Sequence, residues 1–238
     1  TMIDRPRPGD DDGQADPATL DPALVEQVAE RLAALRGAID RHATRTVRVV
    51  AITKRFGPEV VAAAMAAGVA DIGENYAQEL AAKAPVVDAL AGGSPRWHFV
   101  GHLQRNKVRT IADVVSLWQT VDTVRLGREI ARRAPGSSVL VQVNSSGAAS
   151  QSGCSPTDVP GVVESLRELE LDVQGLMTIG AIGDTELSAT LFGQTRQLAD
   201  DLELEHCSMG MSADLTEALQ AGSTIVRVGT ALFGPRPG

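Results

Sequence analysis

Short segments rich in β-branched residues alternate with alanine-rich segments along most of the chain. Before the first of them, apolar residues recur at helical spacing at positions 24, 28, 32, 35 and 39, which predicts an amphipathic helix. Residues 46–53 predict a buried strand, and residues 58–67 predict the helix that follows it. Further strands are predicted near residues 70–72, 98–100, 114–117, 139–143, 173–176, 206–207 and 224–228.

Alternation of strands and helices is typical of a parallel sheet whose faces are covered by helices. Eight predicted strands in 238 residues favour an α/β fold with a single (β/α)8 barrel of the TIM type and an extra N-terminal helix. An open doubly wound sheet is the alternative that the same pattern allows. We assign residues 18–238 to one barrel domain.

Residues 1–17 differ in composition from the rest of the chain. They are rich in Asp, Pro and Gly, with the run Asp10–Gly13 at their centre. So few apolar side chains cannot bury enough surface to offset the entropy lost on ordering. We therefore predict a disordered acidic tail ahead of the barrel domain.

Charge and cysteine usage exclude several classes of partner. The net charge of -8 argues against nucleic acid and against anionic membrane surfaces, although a local basic pocket for one phosphate stays compatible with it. The two cysteines, Cys154 and Cys207, lack metal-ligand spacing and predict reduced thiols. No apolar run approaches a membrane span, and the first residues do not resemble a signal peptide. We expect a cytoplasmic protein.

Lys54 is the first residue whose position suggests chemistry. It follows the first predicted strand and shares side-chain parity with Val50 and Ile52. If these two side chains point into a barrel, Lys54 points into the carboxyl-terminal mouth, where barrel active sites lie. Partial desolvation there favours the neutral amine, which attacks aldehydes. A lysine that extends from a strand end into solvent is the plainer interpretation.

Two strand–helix junctions near the C-terminus could hold a phosphate. The first, Ser208–Ser212, leaves a short strand, and we expect Ser212 to be the N-cap of the next helix. The second leaves the last strand through Gly229 and Thr230. Backbone amides and hydroxyls at such turns bind phosphate, and the loops after strands seven and eight are the usual place for it in a barrel. Ordinary loop and cap chemistry is the alternative for either segment alone.

Several other polar residues lie near predicted strand ends. Arg227 interrupts an apolar strand, so it must either pair with an acidic residue or face a ligand. Asn75 could reach the mouth or cap a helix. We interpret His98 and His102 as structural and predict no metal site, because convincing carboxylate partners at ligand spacing are lacking. No Walker loop, Rossmann fingerprint or nucleophile elbow is present.

Seven segments resemble the pyridoxal phosphate homeostasis proteins and follow one another in the same order as in that family. These proteins are similar in fold to the barrel domain of alanine racemase. The segments are Ala51–Lys54, Gly73–Tyr76, Trp97–Lys107, Val141–Asn144, Gly175–Met177, Ser208–Ser212 and Arg227–Gly234. The resemblance runs from about the first helix to the end of the chain.

The resemblance implies a role for each candidate residue. Lys54 would hold pyridoxal 5′-phosphate as a Schiff base, with Arg227 near the pyridine nitrogen and Asn75 beside the ring. The phosphate would be bound by Ser208, Gly210, Gly229 and Thr230. Family members are credited with holding and delivering the cofactor without an enzymatic activity of their own. The implied partners are therefore pyridoxal phosphate and the apo-enzymes that use it, and a lone barrel is compatible with a monomer.

The chain departs from the family pattern in one loop. Where the family often has a glutamate and a lysine in the serine-rich loop, this sequence has Ala148 and Gln151. This puts any role of that loop in cofactor transfer in doubt.

Two enzyme functions remain as alternatives. A pyridoxal-phosphate-dependent amino-acid racemase would need a second acid/base besides Lys54, and the only tyrosine is Tyr76. A permanent cation at Arg227 would also weaken the ring as an electron sink. A phosphosugar enzyme would explain the phosphate loops but not the seven ordered segments.

Overall fold

The barrel is built from strictly alternating strands and helices. The structure is a computed structural model and describes residues 20–149 and 151–235. The tail predicted over residues 1–17 lies outside the described residues. The strands are β1 Arg48–Ile52, β2 Asp71–Glu74, β3 Arg96–Phe99, β4 Val115–Val121, β5 Ser138–Gln142, β6 Asp172–Met177, β7 His206–Ser208 and β8 Ile225–Val228. The helices are α1 Pro22–His42, α2 Pro58–Ala66, α3 Ala77–Ala91, α4 Arg105–Val108, α5 Val124–Arg133, α6 Val159–Glu168, α7 Thr185–Asp201, α8 Leu215–Gln220 and α9 Thr230–Phe233.

The eight strands form a closed parallel barrel in sequence order. Each strand pairs with the next, and β8 returns to β1, with Arg48 opposite Ile225 and Val50 opposite Arg227. This confirms the predicted (β/α)8 barrel. The alternative prediction of an open doubly wound sheet is wrong. All strands point the same way, so the loops that follow them meet at one end, the carboxyl-terminal face.

Apolar side chains fill two layers. The barrel interior holds a small cluster of buried residues, Val50, Ile52, Leu117, Leu140, Met177 and Ile225. A larger cluster fills the space between the strands and the helices, and Ala51 belongs to it. The side chains of β1 therefore alternate between the two layers, which confirms the predicted inward direction of Val50 and Ile52.

The extra helix α1 packs against α2, α8 and α9. Its buried residues are Val28, Leu32, Leu35 and Ile39, which is the apolar stripe that the spacing predicts. Within residues 20–149 and 151–235, no helix combines the length and the apolar character needed to span a membrane.

The helix after β7 begins later than predicted. Asp214, and not Ser212, occupies the N-cap position of α8. The preceding residues form a turn, in which the Met211 amide donates to Asp214 Oδ1 at 2.6 Å and the Asp214 amide donates back to the Met211 carbonyl at 3.3 Å. This local pairing delays the first helical turn.

Candidate functional site

A cavity of about 230 Å³ opens at the carboxyl-terminal face of the barrel. This volume lies below the range of roughly 300–1,000 Å³ found for drug-sized ligands, so it fits one small molecule. Its walls come from six of the eight strand–loop junctions, those after β1, β2, β3, β6, β7 and β8. The lining residues are Ile52, Lys54, Asn75, Val100, Met177, Ile179, Met211, Arg227, Gly229 and Thr230.

Lys54 enters this cavity because of its place after β1. It lies two residues beyond Ile52, whose side chain belongs to the barrel interior. The Lys54 side chain is half-buried and lines the cavity together with that of Ile52. The structure thus places Lys54 at the barrel mouth, as the strand parity predicts.

A buried ionic cluster holds the chain on both sides of Lys54. Lys83 Nζ donates to Glu74 Oε1 at 2.5 Å, to Glu79 Oε1 at 2.9 Å and to the Thr53 carbonyl at 3.0 Å. The Thr53 hydroxyl donates to Glu74 at 2.6 Å, and the Arg55 amide donates to Glu79 at 2.6 Å. The residues before and after Lys54 are therefore fixed by three side chains from β2 and α3. Sequence reasoning missed this cluster, although the four-residue spacing of Glu79 and Lys83 is a helical ion-pair signal.

Arg227 supplies a buried cation to the same cavity. It lies in β8 with only 6% of its surface exposed. Its Nη1 donates to the Ser208 hydroxyl at 2.7 Å, and its Nη2 donates to the Thr178 carbonyl at 2.9 Å. Burial lowers the pKa of Arg227 to about 10, and Asp214 opposes that shift. The guanidinium is still charged at neutral pH, so it faces the cavity as a fixed cation.

The junctions after β7 and β8 meet beside this cation. Met211 lines the cavity from the first junction, and Gly229 and Thr230 line it from the second. Gly229 is the N-cap of α9, and its carbonyl accepts from the Leu232 and Phe233 amides at 2.9 and 3.0 Å. The helix itself supplies no acceptor to the amides of Thr230 and Ala231. Such amides favour an anionic group.

Two of the seven predicted residues do not line the cavity. The Ser208 hydroxyl is fully buried and donates to Gln119 Oε1 at 2.6 Å while it accepts from Arg227. Gly210 is buried with φ of +94°, and a Cβ there would lie 2.5 Å from the Ala218 Cβ. The other five, Lys54, Asn75, Arg227, Gly229 and Thr230, are brought together. Met177, Ile179 and Met211 are lining residues that sequence reasoning missed.

The histidines and the tyrosine lie away from the cavity. His102 and Tyr76 line a separate pocket between the β2–α3 and β3–α4 junctions, where Tyr76 is 46% exposed at the N-cap of α3. His98 is buried in the barrel interior, with Nε2 at 2.9 Å from Asp71 Oδ1 and Nδ1 at 2.7 Å from Gln119 Nε2. In the described part of the chain, no three His, Cys, Asp or Glu residues are grouped for metal binding.

The serine-rich loop folds on itself around Asn144. The Asn144 amide group donates to the Ala148 carbonyl at 2.9 Å and to the Gln151 carbonyl at 3.1 Å. The Gln151 side chain also accepts from Ser146 at 2.8 Å. The two positions that depart from the family pattern therefore take part in closing this loop.

Buried His98 makes stability depend on pH. Burial lowers the pKa of His98 below 6.5, and the hydrogen bond to Asp71 opposes the shift. The unfolded chain then binds a proton at a higher pH than the folded chain does, so stability falls as the pH drops below about 6.5. We expect a lower free energy of urea unfolding at pH 5.5 than at pH 7.5, and a smaller difference in His98→Gln. His206→Gln, at a half-buried position, should reduce this difference between the two pH values by less. Equal wild-type stability at both pH values would contradict this.

Comparisons with known proteins agree with the geometry. A family model for the alanine racemase N-terminal domain matches residues 25–237. A pyridoxal phosphate homeostasis protein of Pseudomonas aeruginosa is 38% identical over 223 residues, covering 90% of this chain and 96% of that protein. The Bos taurus protein of the same name is 36% identical over 210 residues, covering 79% and 77%.

Solved structures show the same barrel. PipY of Synechococcus elongatus, solved with PLP bound, superposes with a TM-score of 0.77 at 32% identity and covers 87% of this chain and all of that one. An alanine racemase from Corynebacterium glutamicum gives a TM-score of 0.68 at 16% identity, covering 90% of this chain and 62% of that one, and shows the fold alone.

The fold class is thus the barrel of the alanine racemase N-terminal domain. Within that class, the chain belongs to the pyridoxal phosphate homeostasis protein family.

Proposed function

We propose that this protein binds pyridoxal 5′-phosphate in the cavity, holds it as a Schiff base on Lys54, and serves as a carrier in pyridoxal phosphate homeostasis. The observation that carries the proposal is the meeting of Lys54, Arg227 and the Gly229–Thr230 turn in one cavity. The same barrel in PipY was solved with PLP bound.

The residues present fit this cofactor. Lys54 would supply the amine that holds the aldehyde carbon of the cofactor. The amides of Thr230 and Ala231 and the Thr230 hydroxyl suit the phosphate. Arg227, a permanent cation, would leave the pyridine nitrogen unprotonated, and Asn75 would lie beside the ring. When bound, the cofactor supplies an electrophilic carbon and an electron sink, which this cation weakens.

We assign indirect roles to the two predicted residues outside the cavity. Ser208 would orient Arg227, since its oxygen accepts the Nη1 hydrogen bond at 2.7 Å. Gly210 would shape the β7–α8 junction, because its carbonyl accepts from the Arg227 amide at 3.0 Å and its φ is positive.

The lining of the cavity favours carriage over racemisation. Racemisation needs a second acid/base on the opposite face of the substrate. Among the described residues that line the cavity, Lys54 is the group suited to exchange a proton with carbon, because the others are apolar, amide, glycine, threonine or arginine residues. Tyr76 lines a different pocket. We therefore propose a protein without turnover, whose recipients are apo-enzymes that use pyridoxal phosphate.

Two assays separate carrier from racemase. Protein loaded with pyridoxal phosphate is mixed with a cofactor-stripped aminotransferase, and recovery of aminotransferase activity is followed. In parallel, the loaded protein is incubated with L-alanine in D₂O, and α-deuterium is measured by NMR. We expect reactivation without deuterium incorporation above that given by free pyridoxal phosphate. Rapid incorporation at the α-carbon together with formation of D-alanine would instead establish the racemase.

Gly101 sets the place of Asn75 at the cavity wall. A Cβ at position 101 would lie 2.0 Å from the Asn75 carbonyl oxygen, which is backbone and cannot swing away. We expect Gly101→Ala to lower the free energy of unfolding by about 1–3 kcal/mol, the usual cost of overpacking, and to displace Asn75 so that pyridoxal phosphate binds more weakly. Binding is measured by absorbance titration. The control is Gly93→Ala, where nothing lies within 4 Å, and it should bind as the wild type does. Wild-type affinity in both variants would show that Asn75 is not held this way.

A further inference from the structure

A continuous row of polar side chains crosses the barrel interior. It is formed by Asp71 of β2, His98 of β3, Gln119 of β4, Ser208 of β7 and Arg227 of β8. All five residues are buried, and Gln119 and Ser208 are completely inaccessible. Buried polar groups are costly unless every donor finds an acceptor. A row of this kind beside the apolar interior cluster points to a role other than packing.

The row joins the two ends of the barrel. Asp71 begins β2 and lines a cleft of about 890 Å³ beside α1. The exposed side chain of Arg96 donates to the two carboxylate oxygens of Asp71, at 2.8 and 2.6 Å. Arg227 lies at the opposite end and lines the cofactor cavity.

The direction of every hydrogen bond follows from the Arg227 end. A guanidinium only donates, so the Ser208 oxygen accepts from it. Gln119 Oε1 only accepts, so the Ser208 hydroxyl donates its hydrogen to that atom. The amide group of Gln119 then faces His98 Nδ1 as a donor, at 2.7 Å. His98 must therefore carry its proton on Nε2.

The Asp71 end leads to the same result independently. Burial by itself would raise the pKa of Asp71, but Arg96 donates to both of its oxygens, at 2.8 and 2.6 Å, so the carboxylate is ionised and only accepts. His98 Nε2 lies 2.9 Å from Asp71 Oδ1 and must be the donor. A fixed donor at one end and a fixed acceptor at the other leave one arrangement for the whole row.

We propose that Gln119, His98 and Asp71 are positioning residues for Arg227, and that through them the Arg96–Asp71 pair at the far end of the barrel controls how tightly the cavity holds its ligand. The identity of that ligand as pyridoxal phosphate rests on the proposed function. The arrangement of hydrogen bonds in the row does not depend on that function. Removal of one member releases the Ser208 hydroxyl to rotate and to offer its hydrogen elsewhere, and Arg227 loses a fixed acceptor.

The first test uses the ligand-free protein. The ¹⁵N chemical shifts of His98 should show a protonated Nε2 and a bare Nδ1 in the wild type. Asp71→Asn, whose side chain can both donate and accept, should produce a mixture of the two neutral forms. It should also speed hydrogen exchange at the Arg227 side chain.

The second test measures affinity for pyridoxal phosphate. We expect Gln119→Leu and the remote Asp71→Asn each to raise the Kd by about three- to tenfold, the effect of about one lost hydrogen bond. The control is Thr120→Val, at the neighbouring buried position of β4, with an unchanged Kd. Asp71→Asn decides the matter if Gln119→Leu does not fold.

Two results would overturn the inference. One is a wild-type His98 protonated on Nδ1, and the other is a Kd in Asp71→Asn within twofold of wild type despite lower stability. If the wild type itself binds no pyridoxal phosphate, the proposed function fails, and the ¹⁵N and exchange data on ligand-free protein still decide the role of the row.

Discussion

Lys54→Ala is expected to abolish the covalent adduct with pyridoxal phosphate and to leave the protein folded. The covalent bond needs the amine of Lys54, while the apolar layers that stabilise the barrel are formed by other residues. The variant should keep the circular dichroism spectrum of the wild type. After incubation with pyridoxal phosphate and borohydride, its mass should not increase by a reduced adduct.

The lysine content makes this test selective. The chain has three lysines, Lys54, Lys83 and Lys107. Lys83 is buried in its ion pairs, and Lys107 lines the pocket beside Tyr76 rather than the cavity. Lys107→Ala is the matched control and should form the adduct as the wild type does. A specific reducible adduct in Lys54→Ala would mean that another amine holds the cofactor.

Lys83→Met is expected to lower the free energy of unfolding by about 3–5 kcal/mol, the usual cost of leaving one member of a buried ion pair alone. The side chains of Glu74 and Lys83 are 0% and 4% exposed. Burial raises the pKa of Glu74, and Lys83 opposes that shift, so the carboxylate depends on this partner. Urea unfolding gives the free energy.

Two further variants test whether the stability lost in Lys83→Met comes from the unpaired buried charge. Glu74→Gln combined with Lys83→Met removes both charges and should recover much of the lost stability. Arg132→Met removes an exposed ion pair with Glu129 and should leave stability nearly unchanged. A loss in Lys83→Met no larger than that in Arg132→Met would show that the cluster does not stabilise the fold.

The fold could be predicted because two periodicities alternate along the chain. Short buried strands alternate with helices, which indicates a parallel sheet, and eight strands in 238 residues favour its closure into a barrel. Strand parity also placed Lys54 correctly, since Val50 and Ile52 belong to the interior cluster.

The fine structure of the site could not be predicted in the same way. Ser208 ends β7, and whether its hydroxyl reaches the cavity depends on Gln119, which lies 89 positions away in the sequence. The Lys83 cluster depends in the same way on the packing of α3 beside the β1–α2 junction, which brings Lys83 to the Thr53 carbonyl. Neither contact has a local signal in the sequence, because both arise only when the barrel closes.

The measurement that tests the central claim most directly is borohydride trapping of pyridoxal phosphate on the wild-type protein. A titration is followed by visible absorbance, the complex is reduced, and the modified peptide is identified by mass spectrometry. We predict a yellow band that saturates near one cofactor per chain, disappears on reduction, and leaves the label on Lys54. Absence of the band at saturating cofactor, or a label on Lys83 or Lys107 instead, would contradict the account.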